Sequence, residues 1–304
     1  MIRFPTALAA CRAPVFRAGG TDLMERLGHV GESEIVDLRD VAGLSEIADL
    51  PQGLHIGARV TVAAVARDNR VTTGWSLLAK AAGALATPEI RAVATVGGNL
   101  AQHTRCSYYR HPDFLCLKRG GDACFARTGD AVLHAYFDRS PCVSVHASTL
   151  AVALLCYDTV VEVATISQEG NVSYTLRSMP EVLGDGTQAS AHNGLGLGEL
   201  ITSLVLPPSM AERCAYERVI SRARAEWPLV EVGVCLRTEG ARVAVGGVAG
   251  VPLRLPMVEA AVDAGDTPEQ AAALAVSGAS PLAATAYKGT LLVAAVRSAL
   301  EAAW

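Results

Sequence analysis

Alternating apolar and polar residues in the first part of the chain predict short strands that lead into short helices. Residues 13–30 are typical of a strand, a glycine turn and a helix. Residues 54–68 are typical of a strand followed by a helix, with Thr61 placed to cap that helix. The pattern therefore indicates a mixed helix and strand architecture from the beginning.

The middle of the chain continues this mixture. Residues 74–102 predict a helix that stops near Thr87, where a proline follows, and then a strand-like run into a glycine pair. Residues 160–167 and 172–179 alternate with a period of two, which is typical of half-buried strands.

The sequence pattern changes near Pro207-Pro208. Two consecutive prolines continue neither a strand nor a helix, so this position predicts a domain boundary. Beyond it, the pattern predicts two strands around a turn at Glu239. Three helical segments follow, at 256–265, 267–276 and 287–303. We therefore expect one domain over 1–207 and a smaller one over 208–304.

Composition narrows the class of protein. The chain has 304 residues, of which 51% are hydrophobic and 18% charged, so it can bury a large core. A net charge of -4 and a pI of about 6.0 argue against a general nucleic-acid-binding role. The sequence has no continuous apolar run of about 18 residues and no signal-peptide pattern, so a cytoplasmic protein is expected.

Two glycine pairs stand at equivalent places in the pattern, in "RAGGTDL" at 17–23 and "TVGGNL" at 95–100. Glycines let main-chain N–H groups approach a diphosphate without interference from a Cβ atom. Two such loops could hold one pyrophosphate from both sides, although each pair taken alone favours an ordinary tight turn. Neither loop matches GxGxxG, so a Rossmann site is not predicted.

Four of the eight cysteines fall in one polar segment, at Cys106, Cys116, Cys124 and Cys142. Their spacings of ten, eight and eighteen residues include no CxxC pair, so neither zinc ribbons nor bacterial ferredoxins provide a template. From spacing alone, unrelated cysteines remain as reasonable as a metal site. A zinc ion bound by the first three and one of His103, His111 or His134 is a further alternative.

Several motifs together resemble one protein family. They are "AGGTDL", "HIGARVTVAAVA", "TPEIRAVATVGGNLAQHTRCSYYR", "CVSVHASTLAVALLCYD", "YERVISRA" and "VAVGGVAGVPLR". In this order they resemble the FAD-binding medium subunit of the molybdenum hydroxylases, which include xanthine dehydrogenases, aldehyde oxidoreductases and carbon monoxide dehydrogenases. The matching stretches run from about residue 15 to 255, and the segment around 286–292 extends them.

This resemblance implies an α+β fold. The first domain would be a two-lobed FAD-binding domain of the vanillyl-alcohol-oxidase-like type, with lobes at about 1–52 and 53–207. The Cys-rich loop at 103–142 would be carried by the second lobe. The smaller domain, 208–304, would be the C-terminal α/β domain of the carbon monoxide dehydrogenase flavoprotein type.

The resemblance also implies the site residues. FAD would lie between the lobes, with its pyrophosphate held by main-chain N–H groups of both glycine loops. The expected cofactor-binding residues are Ala18, Gly19, Gly20, Thr21, Asp22, Ile56, Gly57, Thr95, Gly97, Gly98, Asn99, Ser148, Thr149, Arg218 and Trp227. The sequence departs from the family at Thr149, where an aspartate is usual, and across 218–228.

In the aldehyde oxidoreductase type, four cysteines in the same order bind a 4Fe-4S cluster. The resemblance therefore implies such a cluster on Cys106, Cys116, Cys124 and Cys142.

The implied function is electron transfer within a heterotrimeric molybdenum hydroxylase that oxidises aldehydes or N-heterocycles. A molybdopterin-containing large subunit and a 2Fe-2S small subunit would be the partners. Electrons would pass to FAD and an external acceptor, with no catalytic side chain on this chain because the flavin itself is the redox group. A stand-alone flavoprotein oxidoreductase of the same fold and a zinc-stabilised interaction module are the alternatives.

Overall fold

The computed structural model describes residues 15–29, 35–167, 171–209 and 213–304. At the beginning of this part, β1 (Val15–Arg17) pairs in parallel with β2 (Ile35–Asp37), and a 3-10 helix spans Met24–His29. The predicted order of strand, glycine turn and helix over 13–30 is confirmed for its described residues, with a 3-10 helix in place of an α-helix. Residues 1–14 of the expected first lobe lie outside the described residues.

A five-stranded antiparallel sheet forms the middle of the fold, in the order β3-β4-β7-β5-β6. Its strands are β3 (Ile47–Leu50), β4 (Gly53–Gly57), β5 (Val160–Ile166), β6 (Val172–Ser178) and β7 (Glu199–Leu206). The two strands predicted from period-two alternation are confirmed as β5 and β6. Because β4 pairs with β7 across a long stretch of sequence, all helices of the middle region are inserted between these two neighbours.

Those inserted helices are α1 (Val62–Arg67), α2 (Asn69–Gly74), α3 (Ser76–Ala84), α4 (Pro88–Val93), α5 (Val96–Leu100), α6 (Ser107–Arg110), α7 (Thr149–Cys156) and α8 (Met179–Leu183). Most of them form the main core together with the sheet, to which α4 and α6 contribute no residue. All eight residues of α7 are buried. The hydroxyl of Thr61 accepts the N–H of Ala64 at 3.2 Å and caps α1, as predicted.

The strand-like run predicted before the second glycine pair is wrong, because this stretch forms α4 and α5. Thr87 caps α4 by accepting the N–H of Ile90 at 3.3 Å, and Pro88 takes the first helical position. Thr95 caps α5 in the same way, accepting the N–H of Gly98 at 3.2 Å. The second glycine pair therefore lies inside the first turn of a helix.

A second sheet follows, in the order β11-β10-β9-β8. Its strands are β8 (Arg213–Val219), β9 (Val230–Arg237), β10 (Gly240–Gly246) and β11 (Leu253–Arg254), and its helices are α9 (Pro256–Asp263), α10 (Pro268–Ala273) and α11 (Tyr287–Ala303). The predicted hairpin around Glu239 and the predicted helices are confirmed.

Helix α7 joins the two sheets. Its Val152 lies so close to β9 and β10 that a Cβ atom at Gly233 or Gly246 would come within 3.3 Å or 2.8 Å of it. Cys156 and Cys235 are fully buried in the same core, where they pack as small apolar residues. In the described ranges, no helix has the length and apolar composition needed to cross a bilayer.

Candidate flavin cleft and thiol cavity

The two glycine loops meet at one cleft of about 290 Å³. Eight of the expected residues line it, namely Ala18, Gly19, Gly20, Thr21, Asp22, Thr95, Gly97 and Gly98. The first loop connects β1 to the following 3-10 helix, and the second is the start of α5. Residues far apart in the sequence are therefore brought together as the resemblance implied.

Close contact between main chains explains part of the glycine requirement. A Cβ atom at Gly19 would lie 2.0 Å from the carbonyl oxygen of Val93, just before the second loop. A Cβ atom at Gly97 would lie 2.8 Å from the Cβ of Ala58. Gly20 has φ of +73°, which side chains of L-residues rarely adopt. The fold of the cleft therefore requires these glycines independently of any bound ligand.

The two loops differ in the hydrogen bonding of their N–H groups. In the second loop, Val96 donates to Val60 at 3.0 Å and Gly97 donates to Ala58 at 2.8 Å, while the N–H groups of Gly98 and Asn99 bond to Thr95. Within the described part of the chain, the N–H groups of residues 19–21 have no such partner. The first loop thus fits an anionic ligand through N–H donors, whereas the second contributes its surface.

Three arginines that the sequence analysis did not single out also line the cleft. Arg17 is paired with Asp37, and Arg26 with Asp22 at 3.0 Å. Arg59 donates to the carbonyl oxygen of Arg39 at 2.6 Å and has no carboxylate partner among the described residues. The feature of the sequence that could have identified Arg59 is its position within "HIGAR", on the predicted strand-to-helix turn. Arg59 is therefore the lining cation best placed to balance a bound diphosphate.

Asp22 connects the first loop to the Cys-rich segment. Its carboxylate pairs with Arg110 at 2.6 Å, Arg105 at 3.2 Å and Arg26 at 3.0 Å, and accepts the N–H of His103 at 3.3 Å. Burial alone would raise the pKa of Asp22, but the hydrogen bond from Arg110 and the three positive charges outweigh it and lower that pKa. Asp22 lines the cleft, but its oxygens are used mainly to hold arginines.

Four of the remaining expected residues, Ile56, Gly57, Asn99 and Ser148, stand behind the cleft. Ile56 is fully buried in the five-stranded sheet, and a Cβ atom at Gly57 would lie 2.4 Å from the carbonyl oxygen of Leu44. The hydroxyl of Ser148 caps α7 and donates to Asn99 Oδ1 at 2.7 Å. These residues fix the positions of the elements that carry the loops.

Thr149, at the position where the family usually has an aspartate, faces a buried carboxyl group. Its hydroxyl donates to Glu231 Oε1 at 3.3 Å, and the Tyr216 hydroxyl donates to Glu231 Oε2 at 2.6 Å. Burial raises the pKa of both Glu231 and Tyr216. Arg218 lies nearby and donates to the carbonyl oxygens of Ala84 and Glu226. This set joins α7 to the second sheet.

Trp227 borders a separate cavity of about 150 Å³, referred to below as the Trp227 cavity. The guanidinium carbon of Arg105 lies 4.5 Å from the centre of the Trp227 ring. The cavity is lined by Arg105, Cys106, Ser107, Asp130, Leu133, His134, Val145, Ala147, Trp227, Pro228 and Gly247. It lies between the Cys-rich segment and the C-terminal part of the chain.

The four cysteines of the Cys-rich segment surround one small cavity of about 10 Å³, the thiol cavity. Cys116 is buried and the other three are half-buried. Lys118 also lines it, and its ammonium group donates to the carbonyl oxygen of Ala191. Burial raises the pKa of the Cys106 thiol. Burial lowers the pKa of Lys118, while the charge interaction with the surrounding cysteines acts in the opposite direction.

No zinc site is formed in the described ranges, where no three His, Cys, Asp or Glu side chains are arranged to hold one metal ion. His111 is exposed, with 55% of its side-chain surface accessible, and lies beside Asp113. The Nδ1 atom of His103 is 2.6 Å from the Tyr109 hydroxyl. His134 Nε2 approaches a single thiol, that of Cys106, at 3.2 Å.

Comparison with known proteins identifies the family. Residues 6–209, more than half of the chain, match the family described as the FAD binding domain in molybdopterin dehydrogenase. The chain belongs to this family. Over 269 residues it is 36% identical to the aldehyde oxidoreductase FAD-binding subunit PaoB of Escherichia coli (strain K12), covering 85% of this chain and 83% of that protein. A shorter match of 86 residues, 37% identical, covers 27% of this chain and 30% of the xanthine dehydrogenase FAD-binding subunit of Escherichia coli O157:H7.

Solved structures agree on the fold of this FAD-binding family member. The crystal structure of quinoline 2-oxidoreductase from Pseudomonas putida 86 superposes with a TM-score of 0.71 at 19% identity, over 98% of this chain and 91% of that chain. Carbon monoxide dehydrogenase from Hydrogenophaga pseudoflava gives 0.71 at 20% identity, over 98% and 92%. At this identity the likeness shows the fold alone. The expected α+β flavoprotein fold and the family resemblance are confirmed.

Proposed function

We propose that this chain is the FAD-binding electron-transfer subunit of a multi-subunit molybdenum hydroxylase. The observation that carries the proposal is the cleft between the two glycine loops. The N–H groups of residues 19–21, which have no hydrogen-bond acceptor among the described residues, and the guanidinium of Arg59 line this common space. Main-chain donors and a cation that has no carboxylate partner within the described ranges suit a diphosphate. The family match over residues 6–209 supports FAD as the molecule that carries this diphosphate.

The remaining expected residues have supporting positions in this proposal. Thr95, Gly97 and Gly98 form the opposite wall of the cleft. Ser148 bonds to Asn99 of α5, Thr149 bonds to Glu231 of the second sheet, and Arg218 bonds to Ala84 of α3. We assign the flavin ring to the Trp227 cavity, where an aromatic side chain offers a flat apolar surface. We also propose that residues 1–207 form the FAD-binding domain, with lobes at about 1–52 and 53–207, and that residues 208–304 form the smaller C-terminal domain.

The four cysteines are proposed to bind a 4Fe-4S cluster in the thiol cavity. All four thiols line this cavity, which carboxylates and imidazoles do not enter, and Lys118 supplies a positive charge beside them. Each thiolate of a cubane binds a different iron, so the sulfurs stand further apart than around one zinc ion. The support in this chain is that all four thiols line one cavity.

The partners follow from the relatives. PaoB is named a FAD-binding subunit of an aldehyde oxidoreductase, and the second relative a FAD-binding subunit of xanthine dehydrogenase. We propose that a molybdopterin-containing large subunit and a 2Fe-2S small subunit deliver electrons to this chain in a heterotrimer. An external acceptor then receives them. When bound, FAD supplies the exchange between paired and single electrons.

The flavin assignment is tested by measuring FAD retained per chain, released by acid precipitation, in the parent and in Arg59→Met. We expect about one FAD per parent chain and a weaker affinity in the variant. Arg39→Met is the matched control, because Arg39 is exposed and does not line the cleft. A parent without flavin, or equal FAD affinity in both variants, would contradict the assignment of the cleft.

Iron analysis tests the cluster separately. We expect about four irons per parent chain and a loss of most of them in Cys116→Ser and Cys124→Ser. Cys235→Ala, in the second sheet, should retain the iron. Equal iron in all four proteins would refute the cluster and leave the flavin assignment intact.

A further inference from the structure

Two cysteines of the second sheet face each other across neighbouring strands. Cys214 on β8 and Cys235 on β9 are directly opposite in the antiparallel register, and their Sγ atoms lie 2.6 Å apart. Directly opposite residues project from the same face of a sheet, and both cysteines pack in the main core with residues of α3 and α7. The pair lines neither the flavin cleft nor the thiol cavity.

The backbone spacing of this pair matches that of a disulfide. Directly opposite residues in an antiparallel pair have Cα atoms about 4.5 or 5.5 Å apart, depending on whether the two residues exchange hydrogen bonds. Both spacings lie within the range of about 4.4–6.8 Å that disulfides require. A bond between the two sulfurs therefore needs no change in the register of β8 and β9.

The third cysteine of this core, Cys156 on α7, has other contacts. Its thiol donates to the carbonyl oxygen of Gly233 at 3.4 Å and lies 3.8 Å from that of Arg242. On the side of Cys214, the α7 end contributes the hydroxyl of Tyr157, 3.9 Å from the sulfur. Cys235 is therefore the thiol that lies in contact with Cys214.

Of the two thiols, Cys214 is the one that a dissolved oxidant reaches first. It is half-buried, whereas Cys235 is fully buried. Within the described ranges, β8 is an edge strand whose strand neighbour is β9. Redox-sensing cysteines commonly combine an accessible thiol with a second thiol beside it that resolves the oxidised sulfur. Cys214 and Cys235 have this arrangement.

We propose that Cys214 and Cys235 form a reversible cross-strand disulfide when a hydroperoxide reaches Cys214. With hydrogen peroxide, the Cys214 sulfur attacks one oxygen, the O–O bond breaks, and a sulfenic acid and one water form. The Cys235 sulfur then attacks the sulfenic sulfur, the S–O bond breaks, and the hydroxyl leaves with the Cys235 proton as a second water. The two thiols thus give up two electrons and two protons, which the peroxide takes up.

The disulfide fastens the edge strand β8 to β9. It closes the chain between residues 214 and 235 into a ring that contains Arg218 and Trp227, and closing such a loop lowers the entropy of the unfolded chain. Facing Cβ atoms in a sheet are about 4.5–5.5 Å apart, wider than the mean of about 3.8 Å in disulfides, and bonds away from ideal geometry are reduced more easily. The cross-link is therefore reversible, and it forms whether or not flavin or iron is bound.

The test treats the parent chain with hydrogen peroxide, blocks the remaining thiols with N-ethylmaleimide and maps unreduced tryptic peptides by mass spectrometry. We expect peptide 214–218 joined to peptide 225–237, and the two separated again by dithiothreitol. Cys142 and Cys156 belong to a different peptide, 140–177, so a bond to either is distinguished. The oxidised parent should also unfold at a higher urea concentration than the same protein after reduction.

Two variants complete the test. Cys214→Ser should lack the joined peptides and gain less resistance to urea on oxidation, whereas Cys156→Ala, the control from the same core, should keep both properties. An oxidised parent in which Cys214 is blocked, over-oxidised or joined to peptide 140–177 would overturn the proposal, and this measurement requires no variant to fold. An equal gain in urea midpoint for the parent and Cys214→Ser would overturn the stabilising role of the bond.

Discussion

Gly19 shows how a single missing side chain sets the distance between the two cleft walls. Its Cα faces the carbonyl oxygen of Val93 so closely that a Cβ atom would stand 2.0 Å away. Because that oxygen belongs to the main chain, rotation of a side chain cannot relieve the contact. The first loop must move away from the second to accept any other residue.

We therefore expect Gly19→Ala to lower the free energy of unfolding by about 3 kcal/mol, at the upper end for overpacking, and to weaken FAD binding. Chemical denaturation and flavin titration would measure both. Gly83→Ala is the control, because Gly83 is exposed within α3 with no atom within 4 Å of the new Cβ. It should gain about 0.5–1 kcal/mol. Similar changes in the free energy of unfolding and in FAD binding for both variants would show that the close approach of Gly19 to Val93 does not determine either property.

His103 makes the fold sensitive to acid. Burial and the nearby positive charges lower the pKa of His103 from 6.5 to about 3. The unfolded chain takes up a proton at this histidine below pH 6.5, whereas the folded chain does so only near pH 3. Stability contributed by neutral His103 is therefore lost as the pH falls through this window.

We expect the urea midpoint of the parent to fall between pH 7 and pH 4 more steeply than that of His103→Gln. His111→Gln, which removes an exposed histidine, should follow the parent. Unfolding curves at three pH values would measure the difference. Parallel curves for all three proteins would contradict the assigned role of His103.

Among the elements, the Cys-rich segment owes its position to one carboxylate outside it. Asp22, in the first glycine loop, pairs with Arg105 and Arg110 of the segment, whose side chains are only 16% and 15% exposed. The segment also has a small core of its own, formed by Ala126, Ala131, Ala135 and Val143. The ion pairs set where this small unit stands relative to the cleft.

Asp22→Asn should leave the buried arginines with the exposed Glu25 as their counter-charge and cost roughly 3 kcal/mol, as removing one member of a buried ion pair does. Glu25→Gln is the matched control, since Glu25 contacts the same arginines but is 61% exposed and should cost less than about 1 kcal/mol. Chemical denaturation measures both, and limited proteolysis should show faster cleavage within 103–142 in Asp22→Asn alone. Equal losses of stability would show that the buried network is not what holds the segment.

At the scale of the whole molecule, α7 makes the two sheets one packed structure. Val152 contacts residues of β9 and β10, and Thr149 bonds to Glu231 on β9. A ligand bound beside α5 and α7 should therefore stabilise both sheets together. This coupling explains why the C-terminal part folds against the flavin region although the sequence marks a break at the prolines.

We expect added FAD to raise the unfolding temperature of the flavin-free chain, with about 2.7 kcal/mol of stabilisation at a concentration one hundred times Kd. In a Trp75→Phe variant, tryptophan fluorescence reports Trp227 and Trp304 of the C-terminal part, and circular dichroism reports all helices. The two signals should shift together. A shift in only one of them would show that FAD stabilises a part of the molecule that unfolds independently.

The sequence by itself determined the family, the pairing of the glycine loops and most strands and helices. Local periodicity predicted β5, β6 and the C-terminal hairpin, since alternation of buried and exposed residues is a local property. The helices α4 and α5 were missed because their caps, Thr87 and Thr95, override a β-like composition over a few residues.

Only the tertiary structure decided which chemical groups remain available to a ligand. The N–H groups of the second loop are used by Val60, Ala58 and Thr95, whereas Arg59 lacks a carboxylate partner among the described residues. Likewise, the convergence of the four cysteines around one cavity, with His134 between it and Trp227, follows from packing between segments distant in sequence. Hydrogen-bond partners and burial depend on the three-dimensional neighbours of a residue, which a linear pattern does not contain.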